Sequence, residues 1–225
     1  MTIPGDNRPI GILGGTFDPV HYGHLRPVLE ILEVLGLAEV RFIPCRLPSH
    51  RSQPVATPEQ RLALLQLAVA DQPGFVVDDR ELRREGPSYM VDTLASLRAE
   101  VGETPLCLLL GMDAFSILPT WRRWQEIPEL AHLVVTNRPD PDPPLSNTLN
   151  ELVEQCKIQQ PEALRERPAG GILFQLVTQL AISATRIRQL LAQGRSPRYL
   201  LPETVWSSVR DQSLYRSPAS FSCEE

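Results

Sequence analysis

The chain has 225 residues, 42% of them hydrophobic, and a formal net charge of −5. That length and apolar content suit one sizeable core. The acidic balance argues against a broad nucleic-acid surface, and no apolar run approaches the roughly 18 residues of a membrane span. The opening "MTIPGDNRPI" has no basic region followed by an apolar core, so no secretory signal is expected. Cys45, Cys107, Cys156 and Cys223 are widely spaced without a CxxC pair, which speaks against a disulfide framework or metal cluster and for a cytoplasmic setting. Lys157 is the only lysine, so arginine or histidine must grip any phosphate.

In chain order, Ile10–Leu13 reads as a strand, followed by Gly14 and Gly15. Leu25, Val28, Leu29, Leu32 and Leu35 then repeat at helical spacing, with Gly36 as a stop. The helix is expected to start near Tyr22 or Gly23, with Pro27 in its first turn. Val40–Ile43 is the second strand. "TPEQRLALLQLAVA" opens a helix with Thr57 as N-cap, Pro58 at the first position and Gln60 closing a capping box. Phe75–Val77 is a third strand, and Ser88 is the expected cap of a helix carrying Val91, Leu94, Leu97 and Val101. Leu106–Leu110 and Leu133–Val135 are further strands. A proline-rich loop over 138–147 follows, then a short helix with Leu149, Leu152, Val153 and Cys156 on one face. Ile172–Val177 is the last strand, and "ISATRIRQLLAQG" is a helix capped by Ser183 and ended by Gly194.

Strands alternating with helices predict an α/β fold, a Rossmann-like doubly wound parallel sheet in a single domain with a C-terminal helical part. The domain is expected over residues 1–216, with 138–170 as an insertion and 217–225 as a frayed tail. Distinctive polar residues cluster just after the strands, at 14–24, 45–51, 111–121 and 183–188. In an open parallel sheet these positions converge on one edge, where ligands bind.

"GGTFDPVHYGH" places two of the chain's four histidines, His21 and His24, at the start of a helix behind two glycines. Free helix amides and the helix dipole favour an anion there, so the stretch reads as a phosphate-binding corner. Two structural histidines, or a zinc pair lacking an evident third ligand, are the alternatives. At the other end of the chain, Ser183, Thr185 and Arg188 on a second helix start read as a second phosphate grip.

Together the two motifs, Gly15, Phe17, Pro19, His21, Gly23, His24 and Ile182, Ser183, Thr185, Arg188, resemble the nucleotidyltransferase superfamily signatures "GxFxPxHxGH" and "ISxTxxR". Over most of its length the chain is similar to bacterial nicotinate-nucleotide adenylyltransferases, through "GGTFDPVHYGHLRP", "IPCRLPSHR", "ELRREGPSY", "LLLGMDAFSILPTW", "LLPETV" and the late "LYR". The resemblance implies ATP and nicotinate mononucleotide as small-molecule substrates, deamido-NAD and pyrophosphate as products, and Mg²⁺ carried with the ATP rather than held in a protein metal site. It implies no nucleic-acid or membrane partner. His21, His24 and Arg188 are the implied catalytic residues that hold ATP phosphates. Gly14, Gly15, Thr16, Phe17, Gly111, Asp113, Ile182, Ser183 and Thr185 complete the implied ATP site, with Asp113 toward a ribose hydroxyl. Cys45, His50, Tyr89, Met90, Trp121 and Arg122 are the implied mononucleotide site, with Trp121 stacking on the pyridine ring or, alternatively, packing in the core.

Two positions depart from the family pattern: Cys45 stands where asparagine is common and Met90 where threonine is common. The second removes a hydroxyl from the expected nicotinate carboxylate site. That leaves backbone amides around Tyr89–Met90 and Trp121–Arg122, helped by the field of Arg122 or Arg46. No residue need act as a nucleophile, because the mononucleotide phosphate attacks the α-phosphorus in line. A transferase of the same superfamily with another phosphorylated acceptor, and a non-catalytic nucleotide sensor, are the competing readings.

Overall fold

Apolar segments of the kind predicted assemble into one parallel sheet in a computed structural model that describes residues 7–48, 53–137 and 144–216. Among these residues the strands are β1 (Ile10–Gly15), β2 (Glu39–Pro44), β3 (Phe75–Val77), β4 (Leu106–Gly111), β5 (His132–Asn137) and β6 (Ile172–Leu176), in the spatial order β3-β2-β1-β4-β5-β6. The helices are α1 (Tyr22–Val34), α2 (Pro58–Val69), α3 (Arg80–Arg83), α4 (Met90–Val101), α5 (Met112–Ser116), α6 (Ile127–Leu130), α7 (Asn147–Cys156), α8 (Ala184–Ala192) and α9 (Glu203–Asp211).

Strand side chains alternate between two core faces, as a pleated sheet covered on both sides requires. Ile10, Ile12, Leu106, Leu108, Leu110, Leu133 and Val135 pack with Leu94 and Leu97 of α4, Ile127 of α6 and Leu149 of α7. Val40, Phe42, Cys107, Leu109 and Val134 pack on the opposite face with Val28 and Ile31 of α1, Leu64 and Leu65 of α2, and Ile187 and Val205 of α8 and α9. The described part of 138–170 supplies both faces, through Leu149 on one and Leu164 on the other.

Several boundaries differ from the sequence reading for physical reasons. Gly14 and Gly15, expected after the first strand, still belong to it, because their backbones stay in register with Ile43 and Pro44. Gly111 likewise remains in β4, opposite Thr136. The last strand ends at Leu176, although Val177 is buried just beyond it. Helix α1 starts at Tyr22 as expected, yet Pro27 lies in its second turn and not the first. The helix tolerates the lost N–H there because Pro27 is packed with Leu25, Val28 and Ile31 on the buried face. Tyr89, not Ser88, is the N-cap of α4. Ser88 is engaged by the β2 turn instead. Its Oγ accepts from the Arg46 N–H at 3.1 Å and its own N–H donates to the Leu47 carbonyl. Residues 138–143 of the expected loop and the tail 217–225 lie outside the described residues.

Strand order runs outward from β1 in one direction and from β4 in the other, so the crossover connections diverge between them. Such a switch point leaves a crevice at the carboxyl ends of the two strands. No helix among the described residues is long and apolar enough to cross a membrane.

Candidate active site

The crevice is a cleft of about 860 Å³ above the ends of β1 and β4. Its first wall is the β1–α1 turn. A Cβ at Gly14 would meet the Met90 methyl, so this side chain packs directly over the strand end and would have to swing aside for any larger residue. At Gly23 a Cβ would lie 2.9 Å from the His21 ring and 3.0 Å from the Ile182 carbonyl, so a glycine here allows the two motifs to approach. Phe17 turns the chain with φ 50° and is buried at the cleft, its ring edge-on to His24 at 5.2 Å.

His21 is the N-cap of α1, in an extended conformation, and its ring stacks on that of His24 with centroids 3.8 Å apart. The His21 N–H donates to His24 Nδ1 at 3.3 Å. A nitrogen that accepts carries no proton, so neutral His24 is assigned as the Nε2–H tautomer. Burial pushes the His21 imidazole down to about 4, and its Nδ1 is buried without a hydrogen-bond partner in the structure. Desolvation keeps this ring neutral until an anion arrives to favour the charged form.

The second wall is α8. Ser183 caps it, its Oγ accepting from the Arg186 N–H at 3.2 Å, which leaves the hydroxyl proton to donate elsewhere. Arg188 donates through Nη1 to the Asp18 carbonyl at 2.6 Å and through Nη2 to Thr185 Oγ1 at 3.3 Å. The late motif is thereby fixed onto the early one.

Two residues that hold this arrangement were not singled out from the sequence. Asp18, almost fully buried, accepts from the Val55 and Ala56 N–H groups at 2.9 and 3.1 Å and from the Tyr215 hydroxyl at 2.8 Å. Burial and the neighbouring carboxylate together push the Tyr215 phenol upward. Arg61 on α2 is fully buried and donates to the carbonyls of Thr16 and Cys45, both at 2.7 Å, and of Arg46 at 3.2 Å. It staples the β1 turn to the β2 turn. A signal for Arg61 was present: it shares a helical face with Leu64 and Leu65, an apolar stripe where an arginine requires an internal partner.

At the other end of the cleft, the Cys45 thiol donates to Thr16 Oγ1 at 3.7 Å, and burial raises its pKa. Glu81, also missed, lies 3% exposed at the cleft edge. The Thr93 hydroxyl donates to its Oε1 at 2.5 Å, while burial pushes its carboxyl upward. Tyr89, Met90, Trp121 and Arg122 border this end, and Gly111 and Asp113 border the middle at the end of β4. The candidate residues from the sequence therefore line one cleft, except Arg46, which borders a separate, smaller pocket, and His50, which lies outside the described residues.

The sequence model of a family described as cytidylyltransferase-like matches residues 12–190. The chain is 54% identical to a probable nicotinate-nucleotide adenylyltransferase of Methylococcus capsulatus over 207 residues, 92% of this chain and 99% of that one. It is 55% identical over 211 residues to a probable nicotinate-nucleotide adenylyltransferase of Halorhodospira halophila, covering 94% of this chain and 97% of the relative. Among solved structures, the fold is similar to that of Plasmodium falciparum nicotinic acid mononucleotide adenylyltransferase complexed with NaAD. The TM-score is 0.69 at 15% identity, over 92% of this chain and 97% of the other.

Proposed function

The chain belongs to the cytidylyltransferase-like family and, within it, to the nicotinate-nucleotide adenylyltransferases, and from that premise we propose that its cleft aligns ATP with nicotinate mononucleotide and joins them into deamido-NAD and pyrophosphate. The observation that carries the reading is the stacked His21–His24 pair at the start of α1, tied through Asp18 to Arg188 of the second motif. Three groups that suit phosphate oxygens thus border one cleft at a helix N-terminus.

In this reading a mononucleotide phosphate oxygen attacks the α-phosphorus of ATP. The new P–O bond forms as the bond from the α-phosphorus to the bridging oxygen breaks, and that electron pair leaves with pyrophosphate. The protein lends no atom to the bond. It aligns the two phosphates and stabilises charge as it moves to the leaving oxygens. His24 Nε2–H, the α1 amides and the Arg188 fork are the donors for that charge. His21, whose pKa burial lowers, gains a reason to protonate beside a triphosphate. Ser183 and Thr185 add hydroxyls at the second helix start, and Asp113 receives a ribose hydroxyl.

Among the described residues no group of three or more His, Cys, Asp or Glu side chains is placed to hold a metal ion. Imidazole, hydroxyl and guanidinium groups line the phosphate end alongside Asp18 and suit anions, which supports reading Mg²⁺ as carried in with the nucleotide. At the acceptor end, Trp121 offers a stacking surface and Tyr89 and Met90 form the rim of the α4 N-terminus. With these substrates and this product the reaction belongs to NAD biosynthesis, in the cytoplasm.

The test is product analysis. Purified protein with ATP, Mg²⁺ and nicotinate mononucleotide should release pyrophosphate and yield a dinucleotide with the mass of deamido-NAD. A dinucleotide formed only from some other phosphorylated acceptor, or none at all, defeats the proposal.

A further inference from the structure

Two adjacent arginines follow Trp121, and their surroundings are opposite. Arg123 takes a left-handed backbone conformation, φ 51°, which turns its side chain to Glu126 at 2.5 Å and Asp92 at 3.1 Å. Its charge is spent on those carboxylates. Arg122 lies over the ring of Tyr89 instead, with Cζ 4.7 Å from the ring centroid, and borders the cleft. No carboxylate among the described residues pairs with it.

The other charges near this end are accounted for. Arg46 donates to the Arg84 carbonyl and lines a separate, smaller pocket. Arg84 donates to Thr93 Oγ1. Asp92, in the first turn of α4, is engaged by Arg123. Glu81 is buried, takes the Thr93 hydroxyl proton as a hydrogen bond, and is held toward its neutral form by desolvation. Arg188, the other arginine at the cleft, sits at its opposite end, positioned by the Asp18 carbonyl. Among the described residues, Arg122 is the arginine that borders the acceptor end of the cleft, and no carboxylate pairs with it.

Resting on the function proposed above, we propose that Arg122 is the specificity-determining residue that selects an acidic pyridine ring over a neutral amide. Tyr89 holds the guanidinium in place by a cation–π contact without neutralising it, so the planar fork remains available to a ring carboxylate. The Met90 thioether has no hydrogen to donate at this position. Among the side chains that border this end, Arg122 presents the positive charge that a ring carboxylate meets, beside the backbone amides. A neutral carboxamide gains much less from the same guanidinium, and the difference sets the preference.

The experiment measures kcat/KM for nicotinate and nicotinamide mononucleotides at saturating ATP, for the wild type, Arg122→Ala and Arg122→Lys, in low and high salt. The expected result is a wild-type preference for the acid that falls about tenfold in Arg122→Ala. The fall should appear chiefly in KM for the acid, and Arg122→Lys should restore part of it. High salt should shrink the wild-type preference toward that of the alanine variant, as screening of an exposed charge requires. If Arg122→Ala lowers both acceptors equally, or leaves their ratio unchanged, the inference fails while the adenylyl-transfer reading stands. A wild type that makes no dinucleotide from either acceptor overturns both.

Discussion

Tyr215 donates its hydroxyl to Asp18 Oδ1 at 2.8 Å, joining the end of the described chain to the β1–α1 turn across 197 positions. The same Asp18 presents its backbone carbonyl to Arg188 at 2.6 Å. The two motifs and the C-terminal segment therefore share one buried residue, and the position of Arg188 depends on how firmly Asp18 is held.

Tyr215→Phe tests that dependence with little change in shape. It removes one donor from a buried carboxylate, which costs about 1.5–3 kcal/mol of stability. Beyond the lowered midpoint in urea, KM for ATP should rise several-fold because Arg188 loses its fixed seat, while KM for the mononucleotide stays close to wild type. A stability loss with both KM values untouched would show that the tether serves the fold alone.

Arg61 gives a second positioning test. Its guanidinium holds the Thr16, Cys45 and Arg46 carbonyls and has no ion-pair partner among the described residues. Arg61→Met keeps the apolar stem but leaves three inward-facing carbonyls without their donor. Unfolding free energy should fall by about 3 kcal/mol or more. Because both turns loosen together, both KM values should rise, in contrast to Tyr215→Phe. An unchanged midpoint in urea would mean that the carbonyls find other donors and that Arg61 is not the staple.

The sign of the pH dependence follows from His21. Its folded pKa is lowered to about 4 by burial, against an ordinary value near 6.5. Between these values the unfolded chain binds the proton and the folded one does not, so stability rises with pH across that window. The contribution is fully present above about 6.5 and is lost as pH falls toward 4, amounting to about 3 kcal/mol. His132 adds in the same direction: it is buried, with Nδ1 accepting from the Gly171 N–H, and burial lowers its pKa. Urea melts from pH 7 to 4.5 should show a steeper loss for wild type than for His21→Asn, which retains His132. Parallel losses in the two proteins would place the titration elsewhere.

How much of this was legible in the sequence depended on whether the signal was local. Strands showed as apolar runs and helices as periodic faces because each pattern is written within about ten residues. The Thr57–Gln60 capping box was readable for the same reason. Ser88 misled because a serine before a helical stretch normally caps it, whereas here the β2 turn competes for its hydroxyl. Pro27 misled because a penalty for proline beyond the first turn is an average that burial against the core overrode. The candidates in the two motifs could be read as neighbours of one cleft, since helix starts with histidine, serine and arginine carry their pattern locally. Asp18, Arg61 and Glu81 were not, because their partners lie elsewhere in the chain and only the fold brings them together.

The last prediction separates the two roles of His24. At the third position of α1 its Nδ1 accepts the His21 N–H, which closes the helix start, while its Nε2–H is the donor assigned to phosphate. His24→Ala removes both. It should lower kcat about 10²–10³-fold and also cost about 1 kcal/mol of stability through the lost cap. His24→Gln is the informative partner, because a glutamine oxygen at the third position can still accept the cap N–H, as in an ordinary capping box. It should recover most of the stability lost in the alanine variant. Its amide is shorter in reach and differently directed than an imidazole whose far nitrogen donates, so kcat should remain low. Measuring urea midpoints and single-turnover rates on both variants distinguishes the roles. If glutamine restores turnover along with stability, His24 works by shaping the helix start, and the phosphate donor must be sought in the α1 amides and Arg188.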